Sequence, residues 1–489
     1  MQWPAARIVT GIALAAALAF PGAPAMADAA PSAALSRGQA TALDAIGNAA
    51  LAKQHVPGFV LMIVSDGDIV YGKGFGYSDV AAHRSATPDT IFPIGSITKQ
   101  FTAAIIERLA SEGKLSIDAL LSIYLPRGPH ADQITVRDLL RQTSGLPNYT
   151  ADTAYFPTIA HSAGVTPQDI MDWAGSKPLD FLPGTRFAYS NTNYIVLGAL
   201  AEAVSGKTYA QLIKQYIVTP FGLRTLTFGP PPAGPVSRAY DPSQGAGPVE
   251  PWSPQSTYAA GGIYATAYDL IRWDALFFAR LIIPQSLVDE MTTPDKLAGG
   301  AQSTYAFGWV VDTLDGRRQI WHNGGVVGGS ARNAWFPDSN VGVVVLGNSE
   351  TFDPAPVVRD AMRVVAPVPA AVLAAEQAAA NAVAPGEDPA ITAKAKIEYA
   401  AFQAGQVDFS HYDATMRAAL TPAIIENVSG QLAADGAPSA FIFKGSHSFG
   451  AAGTVYVYRV PTPNAIVTMR ISFAKDGKIN GLYFVPEAN

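Results

Sequence analysis

The sequence predicts an α+β protein, with one large domain whose sheet draws strands from both ends of its sequence, followed by a smaller α+β domain. Three observations predict it. Strand-like runs cluster at 58–77 and again at 307–346, helical periodicity fills the interval between them, and an Ala/Pro-rich stretch sets off the C-terminal residues. At 489 residues, two domains are the natural expectation.

The first element reads as an export signal over residues 1–27. Arg7 precedes an apolar stretch at 8–20, and Ala25-Met26-Ala27 forms an A-x-A cleavage site, so the mature chain would begin near Asp28. The stretch is shorter than the ~20 residues that span a bilayer. No cysteine follows it, and no later run looks transmembrane, so stable membrane insertion is not expected and a secreted or periplasmic location is.

Phe59-Val60-Leu61-Met62-Ile63-Val64 and Ile69-Val70-Tyr71 flank Asp66-Gly67, a strong hairpin signal. Gly72, Gly74 and Gly76 alternate, but without the GxGxxG spacing of a phosphate loop. A helix is expected from Ser96 to about Ser111, with Ile97, Phe101, Ile105 and Leu109 as its buried stripe. Helical material continues to Gly206, a C-terminal stop for a helix over 195–204. Residues 229–254 read as a long Pro/Gly-rich surface loop flanking a cleft. Strands are expected at 307–311, 319–322, 333–336 and 341–346.

The large domain would then cover 28–365 and the linker 366–392, with one short helix in it. An accessory domain at 393–489 would hold a helix over 393–404 and a half-buried strand alternating Val467, Met469, Ile471 and Phe473 with polar residues. Composition narrows the function. The apolar fraction of 49% builds a large core, a net charge of −6 without a basic run gives nucleic acid no footprint, and the absence of cysteine removes disulfides, thiolate chemistry and cysteine zinc sites.

Three motifs carry chemistry: Ser96-Ile97-Thr98-Lys99, Tyr189-Ser190-Asn191 and His322-Asn323-Gly324-Gly325. Ser-x-x-Lys recurs at Ser111 and Ser472, but only Ser96 and Lys99 share a good helical segment, where residues three apart are neighbours at roughly 5–6 Å. A serine hydroxyl needs a base within hydrogen-bond reach, and Lys99 can be that base if burial lowers its pKa. In an extended segment Tyr189 and Asn191 would face the same way, the phenol relaying a proton and the amide holding Lys99 and a substrate carbonyl. The two glycines after His322 permit a substrate to approach the strand edge, where the imidazole offers a donor or a cation. No G-x-S-x-G or H-E-x-x-H supports a conventional triad hydrolase or a metallohydrolase.

Over about 40–363 the chain resembles the penicillin-recognising serine hydrolases, namely class C β-lactamases, D-alanyl-D-alanine carboxypeptidases, and related esterases and D-aminopeptidases. The three motifs carry the resemblance, with Asp138-Leu139-Leu140-Arg141-Gln142-Thr143-Ser144-Gly145-Leu146-Pro147, Pro183-Gly184-Thr185-Arg186-Phe187-Ala188 and Ala260-Gly261-Gly262-Ile263-Tyr264-Ala265-Thr266. It implies an antiparallel sheet flanked by helices with an all-helical insert. It implies acylation of Ser96, proton transfer shared by Lys99 and Tyr189, positioning by Asn191, and an oxyanion hole from the N–H groups of Ser96 and Gly325. It implies no cofactor or metal, and a small-molecule or peptide substrate. One departure stands out: His322-Asn323-Gly324 occupies the place of the Lys-Thr-Gly of class C β-lactamases. An unperturbed histidine is mostly neutral at pH 7, so β-lactam turnover is expected to be weak and neutral esters or amides to do at least as well. The accessory domain is loosely similar to cystatin-like or NTF2-like folds. A catalytically idle binding protein for cell-wall fragments is the reading of a different class.

Overall fold

A computed structural model of the chain describes residues 34–231, 233–242, 245, 247–448, 454–474 and 476–486. The expected export signal lies outside them. The main sheet has seven antiparallel strands. These are β1 (Gly58–Ser65), β2 (Asp68–Asp79) and β3 (Arg84–Ser85) from the start of the chain, and β7 (Val310–Leu314), β8 (Arg317–Val326), β9 (Gly329–Phe336) and β10 (Val341–Gly347) from later. Their order is β3-β2-β1-β10-β9-β8-β7, so the two halves meet where β1 pairs with β10, Phe59 opposite Gly347 and Ser65 opposite Val341.

Strand β1 is apolar throughout because both of its faces are covered. Val60, Met62 and Val64 face one core, and Phe59, Leu61 and Ile63 face the other. The second core is closed by α1 (Arg37–Gln54) and helix Ala355–Val365. The first runs into the helical insert, whose central element is α2 (Thr98–Ser111). The β1–β2 hairpin turns at Asp66 and Gly67, both at positive φ (50° and 90°), the geometry of a tight type I′ turn.

A three-stranded sheet joins β4 (Ile91–Pro93), β5 (Thr227–Phe228) and β6 (Ile263–Thr266), with β6 in the middle. The long loop over 229–253 is strapped across strand ends. Ile91 donates to Pro235 O at 3.0 Å, Tyr240 N to Asn348 O at 3.0 Å, and the Tyr240 hydroxyl accepts Val80 N–H at 2.8 Å.

The C-terminal residues form a separate four-stranded sheet of β11 (Ile442–Ser448), β12 (Thr454–Pro461), β13 (Ile466–Phe473) and β14 (Ile479–Pro486), in that order. Helices Pro389–Gln403 and Pro422–Asp435 contribute Tyr399, Phe402 and Leu432 to its core. Val467, Met469 and Ile471 point inward, with the expected alternation. Helix Ala370–Asn381 lies within the expected linker, where Arg459 Nη1 donates to Asn381 Oδ1 at 3.0 Å.

Several boundaries differ from the expectation, two of them with a clear local cause. The helix expected from residue 393 begins at Pro389, because the Asp388 side chain accepts Ala390 N–H and proline suits the first helical position. The strand expected over 307–311 begins at Val310, because Phe307 N bonds to Met291 O at 3.1 Å and not to a sheet neighbour. Among the described residues, no helix is long and apolar enough to cross a membrane.

Candidate active site

Ser96 lies in a short 3₁₀ turn, Gly95–Ile97, that runs straight into α2. The stripe Ile97, Phe101, Ile105 and Leu109 is wholly buried and fixes the helix in the first core. One turn on from Ser96, the Lys99 side chain is fully enclosed. Its Nζ lies 3.0 Å from Ser96 Oγ, 2.8 Å from Asn191 Oδ1 and 2.8 Å from Ala260 O. The serines of the other two Ser-x-x-Lys copies turn to other partners. Ser111 is the last residue of α2 and donates to Arg108 O, and Ser472 donates to Asn480 Oδ1 from β13. Lys475 lies outside the described residues.

Amide and peptide carbonyl oxygens can only accept, so two Lys99 N–H groups are committed to Asn191 and Ala260. The remaining valence faces Ser96 Oγ. It donates when the amine is charged and accepts the hydroxyl proton when the amine is neutral. Burial holds the Lys99 pKa well below 10.5. The contact with serine is therefore the one place where protonation of Lys99 changes the bonding.

The Ala260 carbonyl depends on a broken helix. In Pro254–Gly261, Tyr258 sits at φ 38° and ψ −129°, a strained conformation for a residue with a side chain. The chain beyond it is tied to α2, with Thr102 Oγ1 donating to Ala259 O at 2.7 Å and Ile263 N donating to Thr98 Oγ1 at 3.3 Å.

Tyr189 and Asn191 do not share the extended segment expected of them, because Asn191 opens helix Asn191–Ser205. Ser190, at the cap, makes no side-chain cap bond. The loop after Leu140 supplies partners instead, with Ser190 N donating to Gln142 Oε1 and Asn191 N to Asn148 Oδ1, each at 3.0 Å. Asn191 Nδ2 donates to Thr150 Oγ1 at 2.9 Å, so the amide is anchored at both ends. The half-buried Tyr189 ring lies 4.9 Å from Lys99 Nζ. Burial raises the phenol pKa above its ordinary value, and the neighbouring Ser96 hydroxyl offsets part of that rise.

Strand β8 brings His322 to Gly325 alongside Ser96, with alternate residues facing opposite ways. Gly324 faces the Gly95–Ile97 turn, where a Cβ would lie 1.9 Å from Ile94 O and 3.3 Å from Ser96 N. Gly95, at φ +50°, meets it from the other side, since a Cβ there would lie 2.7 Å from Gly325 N. Two missing side chains thus bring the main chains at Ser96 and Gly325 together. Asn323 turns its side chain to the other face, where Oδ1 accepts Arg332 Nη1–H at 3.1 Å.

His322 is only 4% exposed. Its Nδ1 is 2.5 Å from Asn323 O and its Nε2 is 3.1 Å from the Tyr305 hydroxyl. Burial first, then the charges of Lys99 and Arg332, hold its pKa down to about 3, against the hydrogen bond to Asn323. Of the donor or cation that the imidazole offered, the cation is therefore absent at neutral pH. Sequence reasoning did not single out Tyr305, Thr150, Asn148 or the Ala260 carbonyl. Only Ala260 carried a signal, as part of the Ala-Gly-Gly stretch.

A family model described as Beta-lactamase matches residues 43–366. The putative penicillin-binding protein PbpX of Bacillus subtilis (strain 168) is 32% identical over 258 residues, covering 51% of this chain and 61% of its own. A D-aminopeptidase of Brucella suis biovar 1 (strain 1330) is 28% identical over 302 residues, covering 60% and 57%. The chain thus spans about six-tenths of the length of these curated relatives. A D-stereospecific amidohydrolase from Streptomyces sp. superposes with a TM-score of 0.58 at 27% identity, covering 65% of this chain and 97% of that one. The octameric penicillin-binding protein homologue from Pyrococcus abyssi shares the fold, with a TM-score of 0.60 at 23% identity over 91% of this chain and 98% of that one. Most of the chain, including the sheet, the helical insert and all three motifs, falls within the family match, and the chain belongs to the beta-lactamase family.

Proposed function

We propose that the protein is an exported serine hydrolase, cleaved after Ala27, that forms an acyl-enzyme on Ser96 with small D-aminoacyl amides or peptides. Residues 28–365 are the catalytic domain, 366–392 the linker and 393–489 an accessory domain. The observation that carries this reading is the coordination of Lys99, whose one uncommitted valence meets Ser96 Oγ at 3.0 Å.

Neutral Lys99 takes the Oγ–H proton as Oγ attacks the substrate carbonyl carbon. The oxyanion that forms is held by the N–H groups of Ser96 and Gly325, across the gap that Gly95 and Gly324 keep narrow. The proton returns through Tyr189 to the leaving nitrogen, the C–N bond breaks and the amine departs. Water then attacks the ester on Ser96 by the same route in reverse. Asn191 and Ala260 hold Lys99 in place, and His322 to Gly325 form the edge along which the substrate lies. The names of the relatives support D-amino acid derivatives as substrates. An esterase would use the same machinery, and the uncharged His322 favours keeping that second reading. A D-alanyl-D-alanine carboxypeptidase differs only in the group beyond the scissile bond.

Intact mass after incubation with a fluorescent penicillin and, separately, an activated short-chain ester tests the proposal on wild type and Ser96→Ala. A covalent acyl adduct or ester turnover lost in Ser96→Ala is the expected result. Inertness toward both reagents overturns it and leaves the binding-protein reading, whereas turnover that survives Ser96→Ala overturns it by placing the nucleophile elsewhere.

A further inference from the structure

Tyr305 lies outside the three motifs and just before the strand expected at 307–311, yet it touches the site at His322. It is 2% exposed. Its ring is 5.7 Å from Phe187, 6.1 Å from Tyr189 and 5.7 Å from His322, at 85° to the imidazole. The rings of Tyr305 and Tyr189 therefore both lie against the imidazole, and Phe187 backs Tyr305.

The hydrogen bonds fix the tautomer. Asn323 O is a carbonyl and can only accept, so Nδ1, at 2.5 Å from it, carries the proton. In a neutral ring Nε2 then has a lone pair and no hydrogen, and the Tyr305 hydroxyl at 3.1 Å is its donor. Charging the ring would put a hydrogen on Nε2, and Tyr305 would have to rotate its own hydroxyl hydrogen away. The charged groups around the ring oppose this too. Lys99 on α2 and Arg332 on β9 both repel a cation, while Tyr189 and Tyr305 bring no charge at neutral pH and only Asn323 O favours one.

Which part of a substrate meets this wall follows from the proposed mechanism, on which the inference rests. Tyr189 delivers the proton to the leaving group, and the His322 ring lies 6.1 Å from the Tyr189 ring. Gly325, whose N–H is assigned to the oxyanion, is three residues or roughly 10 Å further along β8. His322 therefore borders the leaving group, where a peptide with a free C-terminus would carry its carboxylate.

We infer that Tyr305 is a specificity-determining positioning residue: it locks His322 in one tautomer with neither ring nitrogen free to donate, so the site selects leaving groups without a carboxylate. Carboxamide-ended peptides, simple amides and esters fit this wall. A peptide ending in a free carboxylate leaves that charge unpaired beside the buried ring.

The test compares D-alanyl-D-alaninamide with D-alanyl-D-alanine, which share the acyl group and differ in the C-terminal carboxylate. Wild type and Tyr305→Phe are assayed from about pH 5 to 9, alongside ring ¹⁵N spectra of His322. Wild type should prefer the carboxamide at least about tenfold, the usual worth of one hydrogen bond to a charged group. Its ring signals should stay those of a fixed Nδ1–H tautomer. In Tyr305→Phe, which keeps the ring packing, Nε2 loses its donor. The Nε2 signal should shift as that donor is lost, and with Nε2 open to a proton shared with a bound carboxylate, the carboxylate-to-carboxamide ratio of kcat/KM should rise. Equal or better use of the carboxylate peptide by wild type overturns the inference. So does a wild-type imidazole that titrates within that range, or a Tyr305→Phe protein with unchanged ratio and ring signals. Failure of the underlying hydrolase reading looks different, since neither peptide would be cleaved in a Ser96-dependent way while the ring signals still report on Tyr305.

Discussion

Lys99 and Gln100 are neighbours on α2, both fully buried, and they face different kinds of polar surroundings. Gln100 and Asn333 bond to each other through both amides, at 2.9 and 3.0 Å. Trp273 Nε1 donates to Gln100 Oε1 at 3.2 Å, and Asn333 Nδ2 to Asp274 Oδ1 at 2.8 Å. That network closes on itself inside the core. Around Lys99 two bonds are equally fixed, but the third ends on Ser96, which is partly exposed. Buried polarity alone therefore does not mark a reactive group. What distinguishes Lys99 is that one of its bonds reaches the cleft and can change hands.

The largest expected effect breaks the comparison from the Lys99 side. Lys99→Met should lower kcat/KM by at least about 10³-fold, as befits loss of a general base. It should leave the melting temperature unchanged or higher, because it removes a desolvated amine. A variant that melts lower and keeps activity would make Lys99 a structural residue like Gln100. The wild-type pH profile sharpens the same point. The reaction needs the free amine, so kcat/KM should rise with pH through the amine's lowered pKa and level off well short of 10.5. A limb still rising at 10.5 would reject Lys99 as the base.

Glu107, two turns after Lys99, gives the next effect. It is 2% exposed, and burial followed by the charge of Glu290 pushes its pKa up from 4.5 to about 8. Between those values the folded protein holds a proton that the unfolded chain has released. Stability should therefore fall as pH rises across that window, by at most about 1.4 kcal/mol per pH unit, and then flatten. Glu107→Gln should abolish this fall and exceed wild type in denaturant unfolding above pH 8. A difference that does not vary with pH would place the ionisation elsewhere.

The smallest effect belongs to the closed network. Burial raises the Asp274 pKa well above 3.8, and Oδ2 has no hydrogen-bond partner. Asp274→Asn keeps the acceptor for Asn333 and should cost about 1 kcal/mol, with kcat/KM unchanged. A fall in kcat/KM would tie this network to the cleft.

Much of this was legible from residues alone. Ser96 and Lys99 stood out because the apolar stripe of α2 fixes which side chains share a turn, and Asp66-Gly67 because positive φ leaves little choice of residue. The strands from the two ends of the catalytic region were readable as apolar runs, and the C-terminal alternation gave the right face of β13. What remained hidden depends on distant partners. The Ala260 carbonyl has no side-chain signature, and the kink that aims it appears only as a backbone angle at Tyr258. The start of the Asn191 helix was obscured because its N–H groups bond to Gln142 and Asn148, more than forty residues earlier. His322 was read as mostly neutral from its type alone, but its enclosure by Tyr305 and the nearby Lys99 charge had no local signal.

The close approach of Gly95 and Gly324 has an evolutionary reading. The gap that would receive the oxyanion has a width set by main chain against main chain, so substitutions elsewhere around the cleft leave it unaltered. Residues such as Phe187, Tyr305 and His322 can then drift and retune which acyl donors are accepted, while the acylation step stays intact. A directed-evolution library that varies these three positions and freezes the two glycines would explore substrate choice separately from catalytic competence.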